Sequence, residues 1–218
     1  MNHLKQVFIL LSLSFLCTPA SAQEIIQDID GNEYITQRIY NQTWMTKNVN
    51  VAHYRNGDPI PEAKSINQWY ECWKKRIGCW CYYRNSKAKG LDNGELYNWF
   101  AVTDSRGISP NGWHVSTDSD WVRLTNYLKE EIAAKKIKSL FGWYENGNGT
   151  NESGLMMFPG GYRADEYGTF LEFGKSCRFW APSSTEIIGR ALNYGLDYIN
   201  SIAVGMTGAG YYIRLIKD

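Results

Sequence analysis

The spacing of apolar and polar positions divides the chain into a leader, a first half that mixes strands and helices, and a second half of short strands. The leader carries Lys5, then the apolar run from Val7 to Leu16, then the small residues Ala20, Ser21 and Ala22. That is the layout of a secretory signal peptide, with cleavage after Ala22. Cys17 is a poor lipoprotein site because the bulky Leu16 precedes it. The apolar run falls short of the roughly 20 residues that a membrane-spanning helix needs, and no later stretch approaches that length. We therefore expect a signal peptide at 1–22 and an exported chain of 23–218 with no membrane span, located in the periplasm, on the cell surface or outside the cell.

In the mature chain, Ile25-Ile26, a turn at Asp30-Gly31-Asn32, and the rough alternation from Glu33 to Ile39 predict an opening β-hairpin. A second turn at 40–42 leads into an extended segment at 43–51. Between Ile66 and Tyr83, three Trp and three Cys suggest an irregular, crosslinked segment. Two helices follow. At 94–102, Leu96, Trp99 and Phe100 share one helical face. At 118–128, Thr117 caps the start, Asp118 and Asp120 suit the positive end of the helix dipole, and Trp121, Leu124 and Leu128 recur at core spacing. Beyond Trp143 the chain passes through a polar, Asn- and Gly-rich loop. It then alternates glycine turns with short strand patterns at 155–158, 168–171, 178–181, 190–194 and 211–215. No linker or repeat divides the chain, so a single α+β domain over 23–218 is expected.

Composition narrows the function. The full chain of 218 residues carries 23 Lys and Arg against 22 Asp and Glu. Loss of Lys5 with the leader cancels the net charge of +1. A chain with no excess charge has no global field to attract nucleic acid or anionic lipid, so neither is an expected partner. Lys135, Lys136 and Lys138 form a local basic cluster that reads as a solvated face.

Export also changes the reading of the cysteines. Cys72, Cys79, Cys81 and Cys177 form an even set in an oxidising compartment, where disulfides are the default. A Cys79 to Cys81 bridge would close an awkwardly small ring. That leaves Cys72 to Cys79 with Cys81 to Cys177, or Cys72 to Cys81 with Cys79 to Cys177, and both pairings stay open. Zinc is disfavoured, because Cys72-x6-Cys79-x-Cys81 lacks knuckle spacing and a neighbouring His.

Several ordered motifs carry a family resemblance. They include Trp44-Met45-Thr46-Lys47-Asn48-Val49, Tyr54-Arg55-Asn56-Gly57-Asp58-Pro59, Gly94-Glu95-Leu96-Tyr97-Asn98-Trp99, and Pro110-Asn111-Gly112-Trp113-His114-Val115-Ser116-Thr117. Further along come Phe158-Pro159-Gly160-Gly161-Tyr162-Arg163, Ser183-Ser184-Thr185-Glu186 and the terminal Ile213-Arg214-Leu215-Ile216-Lys217-Asp218. Together they resemble the Fibrobacter succinogenes major paralogous domain over nearly all of the mature chain. The resemblance implies a C-type-lectin-like fold, distantly similar to the formylglycine-generating enzymes, with two helices packed on twisted, mostly antiparallel strands and long loops. Ser116 stands where that family usually has Pro, and Leu215 where it often has Cys. The second departure removes the partner the family implies for Cys81 and suggests Cys177 as the substitute.

For function, only His53 and His114 remain after the leader, and no nucleophile and base pattern accompanies them. His114, just ahead of the capped helix, reads as a hydrogen-bonded structural residue. No catalysis is expected. An oxidase of the formylglycine-generating type would need a redox-active, metal-binding cysteine pair in the C-terminal part, where Cys177 stands alone. Oxygen donors for a structural calcium are sought at Asn148, Asn151, Glu152 and Asp165, with Asn146 nearby, although Asn-Gly runs are first of all turn formers. No other cofactor is implied. Aromatic residues make up 15% of the chain. Trp44, Trp99, Trp113, Trp121 and Trp180 suit the core, whereas Trp69, Trp73, Trp80, Trp143, Tyr144, Tyr162 and Tyr167 are the candidates to stack on a ligand. The expected function is a non-catalytic recognition module for a glycan or a protein partner, with a structural role in a surface appendage or envelope assembly as the alternative.

Overall fold

A computed structural model describes residues 24–88, 93–203 and 207–218; the expected signal peptide lies outside them. The strands are β1 (Ile25–Gln27), β2 (Glu33–Ile39), β3 (Gln42–Met45), β4 (Trp80–Cys81), β5 (Leu96–Tyr97), β6 (Trp113–Val115), β7 (Gly160–Arg163), β8 (Phe170–Phe173), β9 (Ser176–Trp180), β10 (Ile188–Asn193), β11 (Asn200–Ala203) and β12 (Leu215–Lys217). The α-helices are α1 (Ile66–Lys74), α2 (Trp99–Val102), α3 (Asp118–Leu128) and α4 (Ala133–Ile137). The architecture is α+β, with mostly antiparallel strands and few helices.

The first sheet runs in the order β1-β2-β3-β12-β6. Its hairpin forms because the Asp28 carboxylate accepts from the backbone N–H groups of Asp30 and Asn32, both at 2.9 Å, and Gly31 takes the positive φ of 82° that the turn needs. Placing β12 between β3 and β6 brings the last residues of the chain back beside the opening hairpin. The second sheet runs β11-β10-β9-β7-β8, antiparallel except where β7 meets β9. β4 and β5 form a separate antiparallel pair.

The helix α3 ties the two large sheets together. Thr117 and Asp120 complete a reciprocal capping box at its start, which contributes about 1 kcal/mol. Its Trp121 ring lies 5.2 Å from Trp44 of β3 and 5.3 Å from Phe179 of β9. All three rings are buried in the larger of two apolar clusters.

Three expectations change on inspection. The first half of the segment expected to be irregular over 66–83 is the nine-residue helix α1, capped by Ser65, whose hydroxyl accepts from the Gln68 N–H. The helix expected over 94–102 shortens to α2 with Asn98 as its cap, because Leu96 and Tyr97 pair with β4 instead. The strand expected at 155–158 is reduced to a single bridge at Met157.

Candidate binding surface

The sequence of α1 gathers its apolar residues on one side of the helix, with Trp69 at the centre of the fold and the others toward its surface edge. Trp69 points inward, fully buried, with its indole N–H donating to the Gly208 carbonyl at 2.9 Å. Ile66, Tyr70 and Trp73, spaced at i, i+4 and i+7, form a stripe beside it along the surface edge of that apolar side. The Tyr70 and Trp73 rings are 5.5 Å apart. Tyr167, from the turn between β7 and β8, stacks on Tyr70 at 6.1 Å with the planes 20° apart. Tyr167 is 65% exposed and Ile66 55% exposed. The exposed Ile66 and Tyr167 and the half-buried Tyr70 and Trp73 thus form one strip at the surface across two elements.

The buried side of this strip is fixed by Arg163 at the end of β7. Its guanidinium lies 4.3 Å from the Trp69 ring and 4.9 Å from the Phe170 ring, and its Nη1 donates to the Cys81 sulfur at 3.5 Å. The strip therefore rests on a buried layer of Trp69, Arg163 and Phe170.

Of the seven aromatic residues proposed as ligand contacts, the structure assembles Trp73 and Tyr167 and adds Tyr70. Four others are core residues and offer no face to a ligand. Trp69 lies under the strip. Trp80 is buried on Tyr82, its N–H donating to the Ile60 carbonyl at 2.9 Å. Trp143 is buried with its N–H on the Ser139 hydroxyl at 3.1 Å. Tyr162 is packed edge-on against Tyr211, and its hydroxyl accepts from Arg178 at 2.7 Å. The indole and phenol groups could be buried because each found an internal hydrogen-bond partner. Tyr144 is exposed, but it meets Tyr194 edge-on at 5.3 Å and Lys175 at 4.4 Å, not the strip.

The four oxygen donors considered for calcium close loops. Asn148 accepts from the Trp143 N–H at 3.1 Å, Asn151 from the Met156 N–H at 2.8 Å, Glu152 from the Thr150 hydroxyl at 2.9 Å, and Asp165 from the Thr169 N–H at 3.2 Å. Among the described residues no group of three or more His, Cys, Asp or Glu side chains gathers as a metal site.

The four cysteines among the described residues are thiols, so neither expected pairing is formed in this structure. Cys72 and Cys79 hydrogen-bond to each other, which with the nearby Lys75 holds the half-buried Cys72 thiol below its ordinary range. Burial raises the other three: Cys81 is pushed up to about 11, Cys177 up to about 12, and Cys79 well above the thiol range. Cys81 is held by Arg163 in β4 while Cys177 is buried in β9.

His114 sits in β6 between two carboxylates, Asp218 at 2.7 Å and Asp120 at 3.0 Å. Asp120 already serves the capping box, and its carboxyl is held below its usual range by Thr117, His114 and Arg123 despite burial. His53 contacts Asp30 in an exposed loop.

The model of the Fibrobacter succinogenes major domain matches residues 38–217. The chain belongs to that family. The match begins at the end of β2 and takes in the rest of the first sheet, the second sheet, the stripe on α1, Arg163 and Arg214. No curated protein and no solved structure matches the chain. Among the described residues, no helix of this family member is long and apolar enough to cross a membrane.

Proposed function

We propose that this family member is an exported, non-catalytic recognition module that binds a glycan through the aromatic strip on α1, on a scaffold of the C-type-lectin-like kind. The observation that carries the reading is the assembly of the half-buried Tyr70 and Trp73 rings with the exposed Tyr167 ring into one strip at the surface. Sugar C–H faces stack on such rings, and fixed rings lose little conformational freedom when they bind. Polar groups that can bond hydroxyls flank the strip in the sequence, at Gln68, Glu71 and Lys74 of α1 and Asp165 of the β7–β8 turn.

Export carries a corollary for the cysteines. In an oxidising compartment the neighbouring Cys72 and Cys79 are the pair that joins first, closing α1 onto the turn before β4.

A glycan array followed by titration calorimetry tests the reading, run in calcium and in EDTA so that a structural calcium would show itself. Saturable binding should weaken roughly tenfold, about 1.4 kcal/mol, in each of Trp73→Ala and Tyr167→Ala, with the circular dichroism spectrum unchanged. An array without a hit, or a hit that both variants retain at full affinity, overturns it.

A further inference from the structure

On another face, Arg214 immediately precedes β12 and is only 2% exposed. Its Nε donates to the Asn48 side-chain carbonyl at 2.6 Å and its Nη1 to the Met45 carbonyl at 2.8 Å. Both acceptors are neutral. Other arginines of the chain meet carboxylates: Arg190 pairs with Asp118, Arg123 with Asp120, and Arg106 with both Asp58 and Asp104. Arg214 pairs with none among the described residues, and burial lowers its pKa to about 9. A buried cation without a counter-charge is costly unless an anion reaches it.

An anion has a route. Arg214 lines a cavity of about 310 Å³ whose walls include Lys47, Asn48, Met156 and Phe158. That cavity adjoins a hollow of about 520 Å³ that shares Lys47 and Phe158 and adds Phe141 and Pro159. Phe141 is 60% exposed. Among the described residues no carboxylate lines either hollow, while two cations do. Lys47 stands exposed at the mouth and forms no ion pair among the described residues.

We infer that this groove binds a peptide segment of a protein partner, with an Asp or Glu carboxylate on Arg214 and Lys47 and a neighbouring apolar side chain on Phe158 and Phe141. The chemistry selects a peptide over a sugar. Phe141, Phe158, Pro159 and Met156 give the walls apolar surface that rewards burial of an apolar side chain, beside the two cations and the amides of Asn48 and Asn93. The two joined hollows suit adjacent side chains of one chain, the guanidinium fixing the register through charge-assisted bonds. The groove does not depend on the aromatic strip, so glycan binding and peptide binding stand or fall separately.

The test is selection from a random peptide display library on the purified full-length protein, with counter-selection on the Lys47→Glu/Phe158→Ala double variant. Both replaced side chains lie at the groove's rim, which spares the fold. Enriched peptides should carry Asp or Glu next to Phe, Leu or Trp. A synthesised, C-terminally amidated peptide of that class should bind at least tenfold more weakly once its acid is changed to the amide, and should lose binding to Lys47→Glu. It should also bind Trp73→Ala as it binds the parent protein. Arg214→Lys keeps a charge but not the fork, and where it folds it should weaken binding severalfold. Selection of basic or neutral motifs, equal binding of the acid and amide peptides, full binding by Lys47→Glu, or no enrichment over the double variant overturns the inference.

Discussion

Arg163 and Arg214 are both almost wholly removed from solvent, yet their surroundings differ in kind. Arg163 lies between the faces of Trp69 and Phe170 and reaches a thiol, while its Nε and Nη2 find no acceptor among the described residues. Arg214 is held by two neutral oxygens and faces a cavity. A guanidinium tolerates ring faces because it is weakly hydrated and attracted to the π quadrupole. The first arrangement is closed and underlies a surface. The second leaves room for something from outside. The difference teaches that burial alone does not mark a functional cation; what matters is whether the space around it is already filled.

The largest effect comes from removing the ring face under Arg163. Trp69→Ala should lower the unfolding free energy by roughly 3–5 kcal/mol, since it opens a cavity and strips the cation of a π partner. Urea denaturation measures it. In the Trp69→Ala background, Arg163→Met should recover part of the loss, because the unsupported charge goes with it. Full additivity of the two changes would show that the ring and the cation are not coupled.

A third buried ionisable group gives another solution. Glu95 is 2% exposed, and burial raises its carboxyl to about 8, with Asp30 and Glu62 adding to the rise and the Tyr97 and Tyr82 hydroxyls opposing it. The Tyr97 hydroxyl lies 2.8 Å from the Val51 N–H nitrogen, 2.8 Å from the Val51 carbonyl and 2.6 Å from Glu95 Oε2. One phenol proton cannot serve both oxygens. A protonated Glu95 that donates to Tyr97, while Tyr97 donates to Val51, satisfies every atom. Because the folded value lies above the ordinary 4.5, the stabilisation is complete below about 4.5 and is lost as pH rises toward 8. Unfolding free energy should fall by about 1.4 kcal/mol per pH unit inside that window. Glu95→Gln should flatten the slope, and an unchanged slope in that variant would assign it to another group.

The contrast between the two arginines was only partly legible in the sequence. The helix α3 could be read to its ends because Thr117, Asp120, Trp121, Leu124 and Leu128 all signal one face. The helix α1 was hidden, although Ile66, Trp69, Tyr70 and Trp73 recur at i, i+3, i+4 and i+7 on one side, opposite Asn67, Gln68 and Glu71, because the density of Trp and Cys there reads as a crosslinked loop. Ser65 and Gln68 at capping spacing were the signal that could have found it. Ligand-facing rings could not be separated from core rings by loop position, since Trp80 and Trp143 found internal acceptors that no local pattern reveals. Arg214 stood in a quoted motif, but its lack of a counter-charge depends on Met45 and Asn48, more than 160 residues earlier.

On the Arg214 side a smaller effect is expected. Asn48→Ala removes the acceptor of the Nε proton and also the donor to the Asn93 carbonyl at 2.6 Å. A hydrogen bond to a charged group contributes roughly 1.5–3 kcal/mol, so the unfolding free energy from urea denaturation should fall by that order. An acidic peptide bound in the groove should restore part of the loss, since a ligand that binds only the folded state stabilises it by mass action. Trp69→Ala should gain nothing from the same peptide beyond what the parent protein gains.

The smallest effect on stability, and the most local, concerns the thiols near Arg163. Cys72 is half-buried and its thiol is lowered, first by the hydrogen bond from Cys79 and then by Lys75 and Arg163, whereas burial raises Cys79, Cys81 and Cys177. The thiolate is the reactive form. In the reduced, folded protein, iodoacetamide should therefore label Cys72 well before the other three, which should react only on unfolding; peptide mass mapping reads the order. Arg163→Met should slow the labelling of Cys72, because it removes one of the charges that favour the thiolate, while Arg214→Lys should leave it unchanged. Equal rates in both variants would mean that the Arg163 charge, screened by its two rings, does not reach the surface thiol, and the closed arrangement would then be electrostatically silent as well as sterically full.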